Sequence, residues 1–331
     1  YIIKPDVMVF RDPEQDVTPS ESVPQLGLVL WVGAPGSLGR KVLTELLVRN
    51  KSVRALVRRT SKTAEIEHLG VELAYGDLLD HESIEEAMRG VDAVVVTASG
   101  HRRRQPGDQG SSDLVGAKNI AWAAKSAGVR RIVLTGVVQS QHAGAVEHFF
   151  TKYQIEEVMR AAGVPFVSVR SGGFFDQSED FMLDSVRKDR VVWVGSATVK
   201  TSWMLTNDLS RYLAIAVDVA DVPDVVEVGW TRCVDIQELG DIISDQLGRP
   251  LARWNIPWWL VGTLLRFGGL FSESMKVDYT MFGFFQTGQF VLHDVTAHRA
   301  VFGQPPTPEA AIAQWLTDTC LLPPASGQQG G

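Results

Sequence analysis

The stretch Leu28-Val29-Leu30-Trp31-Val32-Gly33-Ala34-Pro35-Gly36-Ser37-Leu38-Gly39 decides how the rest of the chain is read. Its first five residues form an apolar run with no polar break, which is what a strand covered on both faces of a parallel sheet requires. Glycines then recur at 33, 36 and 39, and Leu38, Val42, Leu46 and Leu47 behind them fall at helical spacing. In a strand, turn and helix of this kind the first glycine permits the tight turn. The second lets the backbone approach a pyrophosphate, and the third lets the helix pack close on the sheet. The start of the helix then offers N–H groups and a positive dipole end to phosphate oxygens.

Working outward, apolar runs predict strands at 53–57, 71–74, 93–96, 131–134 and 166–169, with helices between them at 63–69, 81–89, 112–127 and 147–162. Six strands alternating with helices predict an α/β fold, a doubly wound parallel sheet of the Rossmann type. After about residue 171 the alternation weakens, and short strands at 191–194 and 225–228 mix with aromatic-rich segments. This half is expected to form a smaller C-terminal α+β substrate lobe at the carboxyl ends of the strands, where ligands of open α/β sheets bind. The expected division is an extended N-terminal arm at 1–26 (with Pro5, Pro13, Pro19 and Pro24), a nucleotide-binding domain at 27–175, the lobe at 176–318 and a flexible tail at 319–331. Trp254, Trp258, Trp259, Phe267, Phe271, Phe282, Phe284 and Phe285 fall in one short span. They read either as a lobe core or as the lining of an apolar substrate site.

The chain has 331 residues, 45% of them hydrophobic and 21% charged, so a sizeable core is affordable. The net charge of −7 gives no electrostatic reason to expect nucleic acid as a partner. Cys233 and Cys320 are the only cysteines and are read as reduced thiols; no Cys/His cluster has metal-site spacing, so no metal is expected. No apolar run reaches the roughly 18 residues of a membrane span. The longest, 256–271, is broken by Pro257, Gly262, Arg266 and Gly268-Gly269; it reads either as a packed helix or as a peripheral membrane contact. The chain begins at Tyr1 rather than Met, which leaves the expected location open: the cytoplasm, or an organelle matrix if a targeting segment was removed upstream.

The end of the second strand bears on the cofactor. A ribose 2′-hydroxyl is usually held by an acid about 20 residues past the glycines. That position here reads Val57-Arg58-Arg59-Thr60-Ser61-Lys62, with cations and no acid. A carboxylate would repel a 2′-phosphate and a guanidinium binds one, so NADP(H) is expected rather than NAD(H).

These residues resemble the NmrA-like branch of the atypical short-chain dehydrogenases/reductases, which also holds the isoflavone-reductase-like enzymes. The resemblance covers roughly residues 27–318. Besides the glycine turn, its marks are Val53-Arg54-Ala55-Leu56-Val57-Arg58, Tyr75-Gly76-Asp77-Leu78, Asn119, Lys152 with Glu156, Gly163-Val164-Pro165-Phe166, Gly172-Gly173-Phe174, and Phe302-Gly303-Gln304-Pro305-Pro306-Thr307 before Trp315. The resemblance implies a cofactor site of Gly33, Pro35, Gly36, Ser37, Leu38 and Gly39 at the diphosphate and Arg58 at the 2′-phosphate. It implies Asp77 and Leu78 at the adenine, Thr97 and Ala98 under the ribose, Lys152 on the nicotinamide ribose, and Gly172, Gly173 and Phe174 beside the nicotinamide.

The larger family uses a Tyr-x-x-x-Lys pair, whose spacing puts both side chains on one helix face. Here the spacing reads His148-Phe149-Phe150-Thr151-Lys152, and the stretch after the fifth strand, 134–140, has no clear counterpart of the family's serine. His148 is open to two roles, proton donor or positioning group. Tyr153 is an alternative donor, although it points about 100° away from Lys152 around the helix. His101-Arg102-Arg103-Arg104 follows the fourth strand and reads as a solvated loop or an anion-attracting rim. Two functions follow. One is an NADPH-dependent oxidoreductase reducing a small, partly apolar carbonyl or conjugated double bond. The other is a non-catalytic NADP(H)-binding redox sensor or assembly subunit, contacting a protein partner through the N-terminal arm.

Overall fold

The structure, a computed structural model, describes residues 27–33, 36–98 and 108–322. The expected arm at 1–26, Pro35 of the glycine turn, the basic run at 101–104 and residues 323–331 of the expected tail lie outside the described residues.

Alternation is the rule through the first half. The elements run β1 (Leu28–Val32), α1 (Ser37–Val48), β2 (Ser52–Val57), α2 (Ala64–Glu67), β3 (Glu72–Tyr75), α3 (His81–Ala87), β4 (Ala93–Val96), α4 (Asp108–Ala127), β5 (Arg131–Val137), α5 (Glu147–Ala162) and β6 (Phe166–Ser171). The second half holds β7 (Gly173–Phe174), α6 (Glu179–Arg187), β8 (Arg190–Val194), β9 (Trp203–Met204), α7 (Thr206–Ile215), β10 (Val225–Val228), α8 (Ile236–Leu247), β11 (Ala252–Ile256), α9 (Trp258–Gly268), α10 (Glu273–Gln286), α11 (Thr296–Phe302) and α12 (Pro308–Asp318).

Seven strands form one parallel sheet in the order β10-β6-β5-β4-β1-β2-β3. The order reverses between β1 and β4, which opens a crevice at the carboxyl ends of those two strands. Side chains on a strand alternate between faces, so one apolar run feeds two cores. Val29 and Trp31 of β1 join Val53, Ala55 and Val95 in the layer beneath α1 and α7. Leu30 and Val32 join Leu56, Val94, Ile132 and Leu134 in the layer beneath α3, α4 and α5. The doubly wound fold expected from the sequence is therefore present.

Val225–Val228, expected among the short strands of the lobe, is the seventh strand of the main sheet. It alternates between partly buried and buried side chains, because it is an edge strand and lacks the continuous apolar run of β1 or β4. The lobe itself is held by Phe175, whose ring meets Trp203 at 5.8 Å, Trp230 at 5.6 Å and Trp315 at 5.0 Å. Residues 319–322, at the start of the expected tail, close the end of α12: the N–H groups of Leu321 and Leu322 donate to the Leu316 carbonyl. Both thiols are free. Among the described residues no helix is long and apolar enough to cross a membrane, and no cluster of His, Cys, Asp and Glu could hold a metal ion.

His298 of α11 is fully buried against Tyr212 and Phe302, and neither ring nitrogen has a hydrogen-bond partner. Burial, with Arg211 and Arg299 nearby, pushes its pKa down from 6.5 to about 4. The folded state keeps this imidazole neutral, while the unfolded chain takes up a proton as the pH falls below 6.5. Stability is thus unaffected by His298 at neutral pH and is lost progressively between pH 6.5 and 4. A shift of this size corresponds to a loss of roughly 3 kcal/mol. Urea melts from pH 7.5 to 4 should show a decline that His298→Phe largely removes. The same slope in both proteins would place the linkage elsewhere.

Candidate functional site

One cleft of about 1090 Å³ runs along the carboxyl ends of the strands and under the lobe. Of the site residues named from the sequence, Gly33, Gly36, Ser37, Leu38, Gly39, Arg58, Asp77, Leu78, Thr97, Ala98, His148, Lys152, Gly172, Gly173 and Phe174 all line it.

The glycine turn forms its first wall. Gly33 has φ +132°, and a Cβ there would lie 2.4 Å from both the Ala98 nitrogen and the Thr97 Oγ1. The turn can lie this close to β4 only because residue 33 has no side chain. A Cβ on Gly39 would likewise lie 2.8 Å from the Gly33 carbonyl oxygen, whereas one on Gly36 would meet nothing within 4 Å among the described residues. Gly36 caps α1 without any side-chain hydrogen bond, so among the described residues no capping side chain occupies the helix start where it lines the cleft. Thr97 and Ala98 form the floor, their N–H groups donating to the Val32 carbonyl at 2.8 and 3.2 Å.

Arg58 is exposed at the end of β2, in a turn closed by the Ser61 N–H donating to the Arg58 carbonyl at 2.8 Å. The neighbouring Arg59 lies over the Tyr75 ring at 5.6 Å, so the two arginines are not equivalent. The Asp77 carboxylate accepts the Leu79 N–H at 3.0 Å, and Asn119 of α4 donates to the Leu78 carbonyl at 2.8 Å. These bonds hold the Asp77-Leu78 loop in place beside Arg58.

α5 supplies the middle of the cleft. His148 and Lys152 are one turn apart and both line it, as their spacing requires. Lys152 Nζ donates to the Ala98 carbonyl at 3.3 Å, and burial pushes its pKa below the usual lysine range against the opposing pull of Asp113. Tyr153 packs on Phe150 at 5.7 Å and does not line the cleft, whereas His148 does. Ser140 is fully buried at the start of a short 3-10 helix and also lies outside the lining; Thr135, Gly136 and Val137 occupy that wall.

The far end of the cleft is apolar. Phe282 and Phe285 of the aromatic span line it, while Phe284 is buried in a cluster with Val138, Val146 and Phe290. Trp254, Trp259, Phe267 and Phe271 point to solvent instead, so the aromatic span is neither one core nor one lining. The sequence reading did not single out Thr135, Gln177, Trp193, Trp203, Met281 and Phe290, which also line the cleft. Thr135 follows from its place at the end of β5; the others are brought in by tertiary packing and leave no local signal.

Residues 26–300 match the model of the NmrA-like family. The photosystem II assembly factor Ycf39 of Cyanophora paradoxa is 27% identical over 184 residues, which are 56% of this chain and 57% of that protein. The chain thus spans little more than half the length of this relative. The phenylcoumaran benzylic ether reductase Pyrc5 of Pyrus communis is 29% identical over 250 residues, 69% of this chain and 77% of that protein. Among solved structures, the triphenylmethane reductase of Citrobacter sp. complexed with NADP(H) superposes with a TM-score of 0.70 at 19% identity, covering 87% of this chain and all of that one. With the fold, the glycine turn and the family match in agreement, the chain belongs to the NmrA-like family.

Proposed function

We propose that the protein is an NADPH-dependent oxidoreductase that reduces a small, partly apolar carbonyl or conjugated double bond. One observation carries the reading. A single cleft joins an anion-ready glycine turn and Arg58 at one end, Lys152 and His148 in the middle, and aromatic side chains at the other. The residues fit the cofactor. The open space at Gly36 and the uncapped start of α1 suit a diphosphate, and Arg58 suits a 2′-phosphate where a carboxylate would repel it.

A reduced nicotinamide held in this cleft would supply the hydride for such a reduction, itself being oxidised. Lys152 would hold the ribose hydroxyls of such a cofactor, and Gly172, Gly173 and Phe174 would border its nicotinamide. His148 offers the proton that accompanies the hydride, so that the substrate gains both. Phe282, Phe285 and Phe290 exclude water and bind the apolar body of the substrate. In this reading residues 27–175 bind the nucleotide and 176–318 shape the substrate site. Stopped-flow loss of NADPH absorbance over a quinone and enone panel is the test. Arg58→Glu should weaken NADPH binding roughly ten- to a hundredfold, the worth of charge-assisted phosphate contacts, with little change for NADH. No oxidation with any member of the panel would count against turnover.

A second reading is supported by the assembly-factor relative and by histidine at the tyrosine position. It is a sensor or assembly subunit that binds NADP(H) without turnover and reports its state to a protein partner. It requires unequal affinities for NADP⁺ and NADPH, since a ligand that binds two states equally shifts nothing. Equal calorimetric affinities would remove it.

A further inference from the structure

Thirteen large apolar side chains are exposed among the described residues, and seven of them fall within residues 254–271: Trp254, Trp259, Leu260, Leu264, Phe267, Leu270 and Phe271. Concentration of this kind marks an interaction surface, because isolated exposed apolar residues are normally scattered. α9 carries most of them. It packs on α10, with the Trp258 ring stacked on Tyr279 at 5.7 Å, and leaves Trp259, Leu260, Leu264 and Phe267 exposed.

Charge favours one occupant. Residues 251–272 contain no acid, and their only charged residues are Arg253 and Arg266 in a chain of net charge −7. Arg266 has no carboxylate within ion-pair distance among the described residues, and Arg190 lies over the Trp254 ring at 4.7 Å. Of the nearby acids, Asp241 pairs with Arg253 and Glu273 lies 3.7 Å from Lys276. Tryptophan and arginine around an apolar helix face are the composition that settles at the level of lipid headgroups. The eleven residues of α9 extend about 16 Å, half of a hydrocarbon core, so the helix can lie in that boundary but cannot cross it.

We propose that α9 and the exposed edge of β11 seat on the surface of an anionic lipid bilayer. The elements behind this surface are those that line the apolar end of the cleft. α10 carries Met281, Phe282 and Phe285, and β11 pairs with β8, placing Trp254 beside Val192 and Ile256 beside Val194. Resting on the oxidoreductase reading, this placement makes the substrate a molecule dissolved in the bilayer, entering the cleft through its aromatic end.

Flotation of the full chain with vesicles of phosphatidylcholine alone, or mixed with phosphatidylglycerol, tests the surface. Binding should be strong to the mixed vesicles, weak to neutral ones, and accompanied by a blue shift of tryptophan emission. The exposed double variant Phe267→Glu/Phe271→Glu should lose roughly tenfold or more of its partitioning, whereas Trp122→Glu, exposed on α4, should not. NADPH titration in the same variants separates the two claims: intact nucleotide binding with lost flotation supports the surface as drawn. Absence of flotation with either vesicle overturns it whatever the NADPH result. A concentration-dependent dimer that the double variant abolishes would make a second copy the occupant, and flotation gained only on removing residues 1–26 would make the chain's own leading segment the occupant; either overturns it.

Discussion

Replacing Glu156 by alanine should lower the free energy of unfolding by about 3–5 kcal/mol, the cost of leaving a buried ion pair half made. Glu156 is 1% exposed on the inner face of α5, and Arg170 of β6 is 7% exposed. Arg170 donates to both carboxylate oxygens, through Nε at 2.9 Å and a terminal nitrogen at 2.5 Å, and the Ser168 hydroxyl donates to the same carboxylate at 2.6 Å. Its other terminal nitrogen donates to Gln141 Oε1 at 2.6 Å and lies 3.7 Å from Glu227 of β10. Removing the carboxylate strands a guanidinium among β5, β6 and α5 with only Glu227 left to oppose it. Replacing both partners by apolar residues of similar size should cost far less, because no charge is then left unpaired. Urea melts of the single and double variants check this. A loss below about 1 kcal/mol in Glu156→Ala would show that water reaches the pair. Since α5 also carries His148 and Lys152, the single variant should impair nucleotide binding as well.

The second large effect separates two glycines that look alike in the sequence. Gly33→Ala should cost about 2–6 kcal/mol, combining backbone strain at φ +132° with overpacking against β4. Its Cβ has nowhere to go without parting β1 from β4. Gly36→Ala should leave stability within about 0.5 kcal/mol, since among the described residues its Cβ meets no atom within 4 Å. It should nevertheless lose NADPH affinity, because the methyl group fills the space the diphosphate needs. Calorimetric melting and NADPH titration of both variants give the readout. An unaltered NADPH affinity in Gly36→Ala would remove the phosphate assignment from this turn.

The strong signals in the sequence were those written locally. The apolar runs of β1 and β4 form strands, the 33-36-39 glycines lie at the turn into α1, and the four-residue step from His148 to Lys152 puts both on the cleft side of α5, because strand burial, turn geometry and helix periodicity each act over a few neighbours. Val225–Val228 was misplaced because an edge strand needs only half of the apolar pattern. The aromatic span at 254–285 was divisible only in three dimensions: Phe282 and Phe285 sit one helical turn apart on the cleft side, Phe284 between them faces the protein, and Phe267 and Phe271 face away. The Glu156–Arg170 pair lies 14 residues apart in the chain, and nothing near either residue marks it as buried.

Three of the places where the chain passes between the sheet and the lobe lie side by side and are fastened to one another. β7 pairs with β9, the Gly172 N–H donates to the Val228 carbonyl, and the Trp230 N–H donates to the Trp203 carbonyl. Gly172 would place a Cβ 2.6 Å from the Ser202 carbonyl, so the seam has no slack. Lys41 of α1 adds a brace, donating to Asp176 at 3.1 Å and to Thr206 at 2.5 Å. A two-domain enzyme that swings about a single linker can open wide to admit its substrate; this triple stitch forbids such a swing. On the oxidoreductase reading proposed above, a substrate enters at the aromatic end without such a swing, and altering what is accepted means reshaping that doorway in place.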